Sequence, residues 1–486
     1  MRSAPMSRAF LPDSDGGHVK GSPSYRSLTL AMLFAGFSTF SLLYSVQPLL
    51  PEFARDFHLT AEAASLAVSL ATGPLAVAIL FAGLISDRIG RRPIMVWAMY
   101  GAGVLTLATA VAPGWNAILL LRLLTGLALA GVPAVAMAYV SEEVHAGSVG
   151  SAMGLYIGGS AIGGMMGRLG VSLVTAIAGW HWALAVDGAL GIAMAEGFRR
   201  LAPESRAFVA QRGNLAALAR GAAGLFRDRA LLLLYVEAFL LMGIFVTVYN
   251  YAGFRLMGPP YGLGQAEVGA IFLLYILGSI SSTWFGGLAG RLGRRKVFWL
   301  PIVLLIAGVG ATDLAPLWAI VAGIALVTIG FFGAHSIASA WVGRRAAANR
   351  GQASALYLFF YYMGSSLLGS AGGFAWTRAG WAGVALFCTA LALLALAVGG
   401  WLARIPPLAT PDSMPPRPVP GRPRKPCLDS ARCAALGEAP QQERHDDRHP
   451  QHPARQPRDD DHGRARQDDR RARPVRDRFG HGMPGV

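Results

Sequence analysis

Apolar runs follow one another along this chain, each about as long as a membrane crossing and each cut off from the next by a polar stretch. Twelve can be drawn. Six lie near 28–50, 64–86, 94–112, 116–139, 149–171 and 181–198, and six near 231–253, 266–289, 297–314, 318–342, 352–374 and 382–403. A helix crosses the hydrocarbon core with about 20 mostly apolar residues. The runs are apolar on all sides and rich in glycine, with none of the short alternating segments of barrel strands. They predict helices, which satisfy their own backbone groups in lipid. The expected fold is an all-α membrane protein of twelve transmembrane helices.

The second half of the pattern repeats the first. Gly83-Leu84-Ile85-Ser86-Asp87-Arg88-Ile89-Gly90-Arg91-Arg92 returns, altered, as Gly286-Gly287-Leu288-Ala289-Gly290-Arg291-Leu292-Gly293-Arg294-Arg295, 203 residues later. Ala112-Pro113 with Trp115 returns as Ala315-Pro316 with Trp318, and Ala178-Gly179-Trp180 as Ala379-Gly380-Trp381, the last 201 apart. Two six-helix pseudo-repeats are therefore expected, at 28–198 and 231–404, with a leading segment 1–27 and a basic linker 199–230. Parallel repeats of this kind hold their substrate site between them near the bilayer midplane. Residues 405–486 are polar and cannot build a core, which predicts a disordered tail. The alternative is a frame-shifted end of a GC-rich reading frame, which resequencing would decide.

Composition agrees with the pattern: 53% of residues are hydrophobic and 14% charged. The net charge of +16 would suit a nucleic-acid partner, but the basic residues are concentrated in the loops. One side carries Arg2, Arg8, Lys20 and Arg26, then Arg88, Arg91 and Arg92, seven arginines from Arg199 to Arg229, the cluster Arg291 to Lys296, and Arg344, Arg345 and Arg350. The other carries only Arg55, Arg168, Arg255 and Arg378. By the positive-inside rule both termini and the linker are expected in the cytoplasm, and no nucleic-acid partner is expected. The first 26 residues hold no apolar core, so the first span is expected to anchor the chain without signal cleavage. Cys388, Cys427 and Cys433 have no ligand spacing, so no metal site is expected.

These motifs resemble the major facilitator superfamily over about residues 28–404, most specifically through the loop Gly83 to Arg92. Tyr44-Ser45-Val46-Gln47-Pro48 and Val248-Tyr249-Asn250-Tyr251 with Gly253-Phe254-Arg255 are similar to its drug:proton-antiporter-like branch of YnfM-type and arabinose-efflux-type permeases. The resemblance implies a conformational latch at Gly83, Asp87, Arg88, Gly90, Arg91 and Arg92 that holds the cytoplasmic side closed in the outward-facing state. In the second copy Gly290 stands in place of the acid. Arg122 with Gly126 and Gly131 resembles the helix-4 motif tied to proton coupling, and a cavity-facing Arg122 is expected. A cation there costs roughly 2.5–3.5 kcal/mol unless paired or hydrated. Ser160 stands where the antiporter motif of helix 5 has proline, and Gly126, Gly131, Gly154, Gly158, Gly163 and Gly167 are expected to pack helix on helix.

Two acids lie inside spans, Asp187 and Glu237, and either is a candidate to load and release a proton, Glu237 first. Tyr44, Gln47, Thr125, Thr247, Asn250 and His335 are the polar candidates to orient a substrate among apolar walls. No phosphate-binding GxxxxGK[ST] is present, so the proton gradient is the expected energy source and no cofactor is implied. The expected function is a multi-pass carrier of the bacterial inner membrane, monomeric in the lipid bilayer. It would export a small-molecule substrate such as a drug or sugar in exchange for protons. The alternatives are proton-symport uptake and, in a different class, a non-transporting membrane sensor. No catalytic constellation points to an enzyme.

Overall fold

The computed structural model describes residues 17–205 and 215–406. The expected tail, most of the leading segment and part of the linker lie outside the described residues. The first half contains α1 (Pro23–Tyr44), α2 (Leu50–Asp56), α3 (Ala61–Ile89), α4 (Arg91–Ala110), α5 (Trp115–Leu129), α6 (Pro133–Glu143) and α7 (Val149–Leu201). A linker helix α8 (Leu215–Phe226) follows. The second half contains α9 (Arg229–Met257), α10 (Gln265–Gly269), α11 (Tyr275–Leu292), α12 (Arg294–Val297), α13 (Trp299–Thr312), α14 (Leu317–Arg345) and α15 (Arg350–Arg404).

Among the described residues, ten continuous helical stretches are long and apolar enough to cross a membrane. Two of them, 56 and 55 residues long, would exceed 80 Å as straight rods, against a hydrocarbon core of about 30 Å. Both turn back. Gly179 (φ 84°, ψ 167°) breaks α7, and Ala379 with Gly380 (φ 58°, ψ −141°) breaks α15. Each is thus two crossings, and the described residues make the twelve that the apolar pattern predicts. The repeat is visible in the backbone itself. Gly90 (φ 104°) and Gly293 (φ 92°) turn the two copies of the arginine loop in a conformation that glycine adopts without strain.

Helix packing follows the small residues. Gly159, Gly163 and Gly167 lie one turn apart on α7, and a Cβ on any of them would collide with α1 at Leu33, Phe37 or Ser41. Gly364 on α15 meets the Phe239 carbonyl of α9 as Gly163 meets that of Phe37. Gly126 seats on Ala71, and a Cβ on Gly131 would lie 3.0 Å from that of Ala98. The expectation fails for Gly154 and Gly158, where an added Cβ would meet nothing within 4 Å. Gly158 is about 100° around the helix from Gly159, so it misses the face that meets α1.

The halves touch at one end and part at the other. At the end away from the arginine loops, Ser69 of α3 binds Ser370 of α15 at 2.6 Å, and Ser69 and Ser366 exchange hydroxyl-to-carbonyl bonds of 2.9 Å. Gln265 donates to the Pro48 carbonyl at 2.8 Å. At the arginine-rich end a cavity of about 460 Å³ opens between them, lined by α3, α6, α8 and the start of α15. The outer faces carry exposed Ile177, Val111, Leu386, Trp97 and Trp318, as a lipid-facing surface requires.

Candidate functional site

The first half is built around a broken helix. Pro48 has no N–H to donate and its ring crowds the carbonyl four residues back, so α1 ends at Tyr44. The chain passes through a short turn, a 3₁₀ segment Gln47–Leu49 and then α2. The last carbonyls of a helix find no partner inside it, and here α5 supplies one. Arg122 donates to Leu42 O at 3.0 Å, to Leu43 O, and to Ala67 O of α3 at 3.2 Å. Asp187, from the second arm of α7, accepts from Ser41 Oγ at 2.5 Å through one oxygen, and its other oxygen is buried without a hydrogen-bond partner. Arg122 is wholly buried in this cluster. The expected cavity-facing arginine is instead closed in, with its donors on backbone.

A second polar layer joins the halves. Gln47 donates to Asn250 Oδ1 at 2.8 Å and accepts from Arg168 Nε at 2.6 Å. Arg168 also donates to the Gly164 carbonyl of its own helix. Its guanidinium carbon stands 4.3 Å from the Tyr44 ring centre, 5.0 Å from that of Tyr275 and 5.6 Å from that of Phe272. Tyr44 reaches Ser365 across the interface at 3.4 Å. Of the substrate candidates, Tyr44, Gln47 and Asn250 meet here. Thr247 donates to the Leu368 carbonyl at 3.0 Å, beside this layer. Thr125 is fully buried and donates to Leu121 O of its own helix.

Arg168 is the residue that sequence reasoning misplaced. Ending the fifth span at residue 171 left it at the outer surface, yet it precedes the Gly179 turn by eleven residues, about 16 Å of helix. The repeated Ala-Gly-Trp turn was the signal that marks the true end of the span.

From this layer a row of rings runs through the second half. Tyr249 stacks on Phe272, Phe245 on Phe331 at 4.0 Å, and His335 lies 4.9 Å from Tyr361. His335 Nδ1 pairs with Tyr357 Oη at 3.0 Å, which makes it a member of that row rather than a lone polar group. Glu237 is elsewhere. Although α9 borders the interface, the carboxylate turns into the second half against Gly399 and Phe298, is fully buried, and neither oxygen has a hydrogen-bond partner.

At the arginine-rich end, Arg91 bridges Asp87 at 2.6 Å and Glu142 at 3.0 Å. Arg92 donates to the carbonyls of Ala202 and Arg199 at 2.9 and 2.7 Å, tying the loop to the end of α7. Gly83 and Asp87 line the cavity, facing Gly351 and Gln352 at the start of α15. In the second copy Gly290 has open space around it, and among the described residues Arg291, Arg294 and Arg295 form no ion pair within 4.0 Å.

Comparison with known proteins agrees with this geometry. The family model for the Major Facilitator Superfamily matches residues 32–266 and 256–433. The MFS-type transporter YybF of Bacillus subtilis is 46% identical over 385 residues, covering 79% of this chain and 95% of that protein. The inner membrane transport protein YnfM of Escherichia coli is 44% identical over 385 residues, covering 79% and 92%. Among solved structures, a bacterial homologue of the lysosomal transporter Spinster, inward-facing and unoccupied, superposes with a TM-score of 0.65 at 14% identity, covering 79% of this chain and 98% of that one. The nucleoside transporter NupG gives 0.60 at 16% identity, covering 77% and 98%. At such identities these two show the fold alone.

Proposed function

The chain belongs to the major facilitator superfamily, and we propose that within it the protein is a proton-coupled exporter of a small organic molecule working by alternating access. The arginine-rich end is taken as cytoplasmic by the positive-inside rule. The described conformation is then open to the cytoplasm and sealed on the far side by the serine contacts of α3 and α15. The substrate enters by the cavity and meets the layer of Tyr44, Gln47, Arg168 and Asn250. Rocking of the halves closes the arginine-rich end, where Asp87 approaches the start of α15, and opens the other. A carrier of this kind is driven by differences in affinity between its two states.

The observation that carries the coupling is Glu237, sealed in apolar surroundings with both oxygens unpartnered. An ionised carboxylate there would face a penalty of several kcal/mol. A group so placed holds a proton while sealed and releases it when the halves move and water arrives. Asp187 is the second candidate; Ser41 and Arg122 already support its charge, so it has less reason to change state.

Respiring everted membrane vesicles containing a ΔpH-sensitive dye, challenged with a panel of dyes, sugars and organic acids, test this reading. Antiport discharges the proton gradient when a substrate is added, and Glu237→Gln abolishes that discharge while substrate counterflow persists. Full gradient dependence in Glu237→Gln removes Glu237 from the coupling, and proton movement of the opposite sign identifies a symporter.

A further inference from the structure

We propose that the substrate is an organic anion with a flat apolar body: its carboxylate meets Arg168 and its body lies along the rings of the second half. This rests on the reading that the layer between the halves is the transport site. Arg168 is a full positive charge, 3% exposed, and among the described residues no carboxylate lies within 4.0 Å of it. Its polar partners are neutral: the Gln47 amide oxygen and the Gly164 carbonyl. Ring faces of Tyr44, Tyr275 and Phe272 surround the rest. Aromatic faces attract a guanidinium, yet they do not neutralise it as an anion does. Buried charges are otherwise paired.

The unused hydrogen-bonding capacity beside the charge has the same sense. Asn250 Nδ2, whose amide oxygen is bonded to Gln47, has no acceptor, and Tyr275 Oη has no partner. Both residues are at least nine-tenths buried. A guanidinium, an amide N–H₂ and a phenol O–H together offer donors and ask for an acceptor-only group, which is what a carboxylate is. A neutral sugar would bring donors of its own, and a cationic dye would meet a like charge. The walls complete the description. Tyr249, Phe245 and Phe331 continue from the rings at Arg168, with stacked pairs at 5.4 Å (Tyr249–Phe272) and 4.0 Å (Phe245–Phe331). They are suited to a planar apolar group.

The experiment measures binding by calorimetry to the purified full-length protein in detergent. Its probes are benzoate and 1-naphthoate, their neutral amides, and chloride. Saturable binding of a carboxylate is expected, with its amide at least about tenfold weaker. Arg168→Gln removes that preference. Tyr275→Phe, which keeps ring and fold, weakens the carboxylate several-fold and leaves the amide unchanged. Amides binding as well as acids, no carboxylate binding at millimolar concentration, or chloride alone reproducing the response would each overturn the proposal. Should Arg168→Gln fail to fold, the acid–amide contrast in the natural protein and Tyr275→Phe still decide. Binding without gradient-driven flux would sink the proton-coupled reading and leave this one standing, whereas gradient-driven flux of neutral compounds alone does the reverse.

Discussion

The two halves share a backbone and differ in where they keep charge. In the first half, α1 is broken at Pro48, and Arg122, Asp187 and Ser41 fill the break. In the second, α9 has no proline over Arg229–Met257 and runs unbroken. By the repeat spacing, the positions of Arg122 and Asp187 are occupied there by Ala325 and Cys388, and that of Arg168 by Gly369. A helix that keeps its own hydrogen bonds needs no arginine beside it. The second half holds instead one isolated acid, Glu237, and a row of rings. Of the two acids inside spans, Asp187 in the first half is bonded by Ser41, whereas Glu237 in the second has no hydrogen-bond partner and is the better place to look for a group that changes protonation.

This contrast can be broken most severely at Arg122. Arg122→Ala strips Leu42, Leu43 and Ala67 of a donor and leaves Asp187 without its cation. A loss of about 3–5 kcal/mol is expected, read as reduced folded yield and a lower melting temperature. Copying the second half completely, with Arg122→Ala and Asp187→Cys together, should recover part of that loss. A residual of about 1–3 kcal/mol remains, because the carbonyls still lack the arginine's donors. Wild-type stability in Arg122→Ala would refute the capping role.

Of intermediate size is the asymmetry of the arginine loops. Asp87→Asn removes the acid that Arg91 grips and should lower the transport rate by about tenfold or more, at equal protein level, if one charge-assisted contact is lost from one state only. Gly290→Asp, in open space, should change it little. Equal effects on flux would show that Asp87 has no special part in cycling.

The smallest effects concern glycine faces. Gly163→Ala and its repeat partner Gly364→Ala each drive a methyl into a backbone carbonyl and should cost about 1–3 kcal/mol. Gly154→Ala, beside open space, should be neutral or stabilise by up to about 1 kcal/mol through helix propensity. Thermal unfolding of the three in one detergent ranks them, and a Gly154→Ala penalty matching that of Gly163→Ala would mean that spacing, not facing, sets the packing.

Much of the fold was legible in the sequence because it depends on local or repeated features. Span length follows from the thickness of the bilayer; the helix ends came from the structure, where Ser22, Thr60 and Asp228 cap α1, α3 and α9 with their side-chain oxygens. The duplication follows from spacing. Tyr44, Gln47 and Asn250 were found as polar residues on helices that border a central cavity in this fold.

What the sequence could not determine is the direction in which a side chain points once its helix is rotated and packed. Gly154 and Gly163 read alike in a list of glycines, yet one faces open space and the other a carbonyl. Arg122 reads as a cation in lipid, and only the break in α1 shows what it caps. Arg168 reads as an outer-loop arginine, and only the turn at Gly179 buries it among rings. Glu237 reads as a residue on the cavity wall, and only the rotation of α9 leaves it alone against Gly399. Hydrophobic length and spacing are properties of a segment and survive in one dimension. The partner of a buried charge comes from another segment, and here it is supplied by packing between helices whose paired residues lie 55 to 146 positions apart.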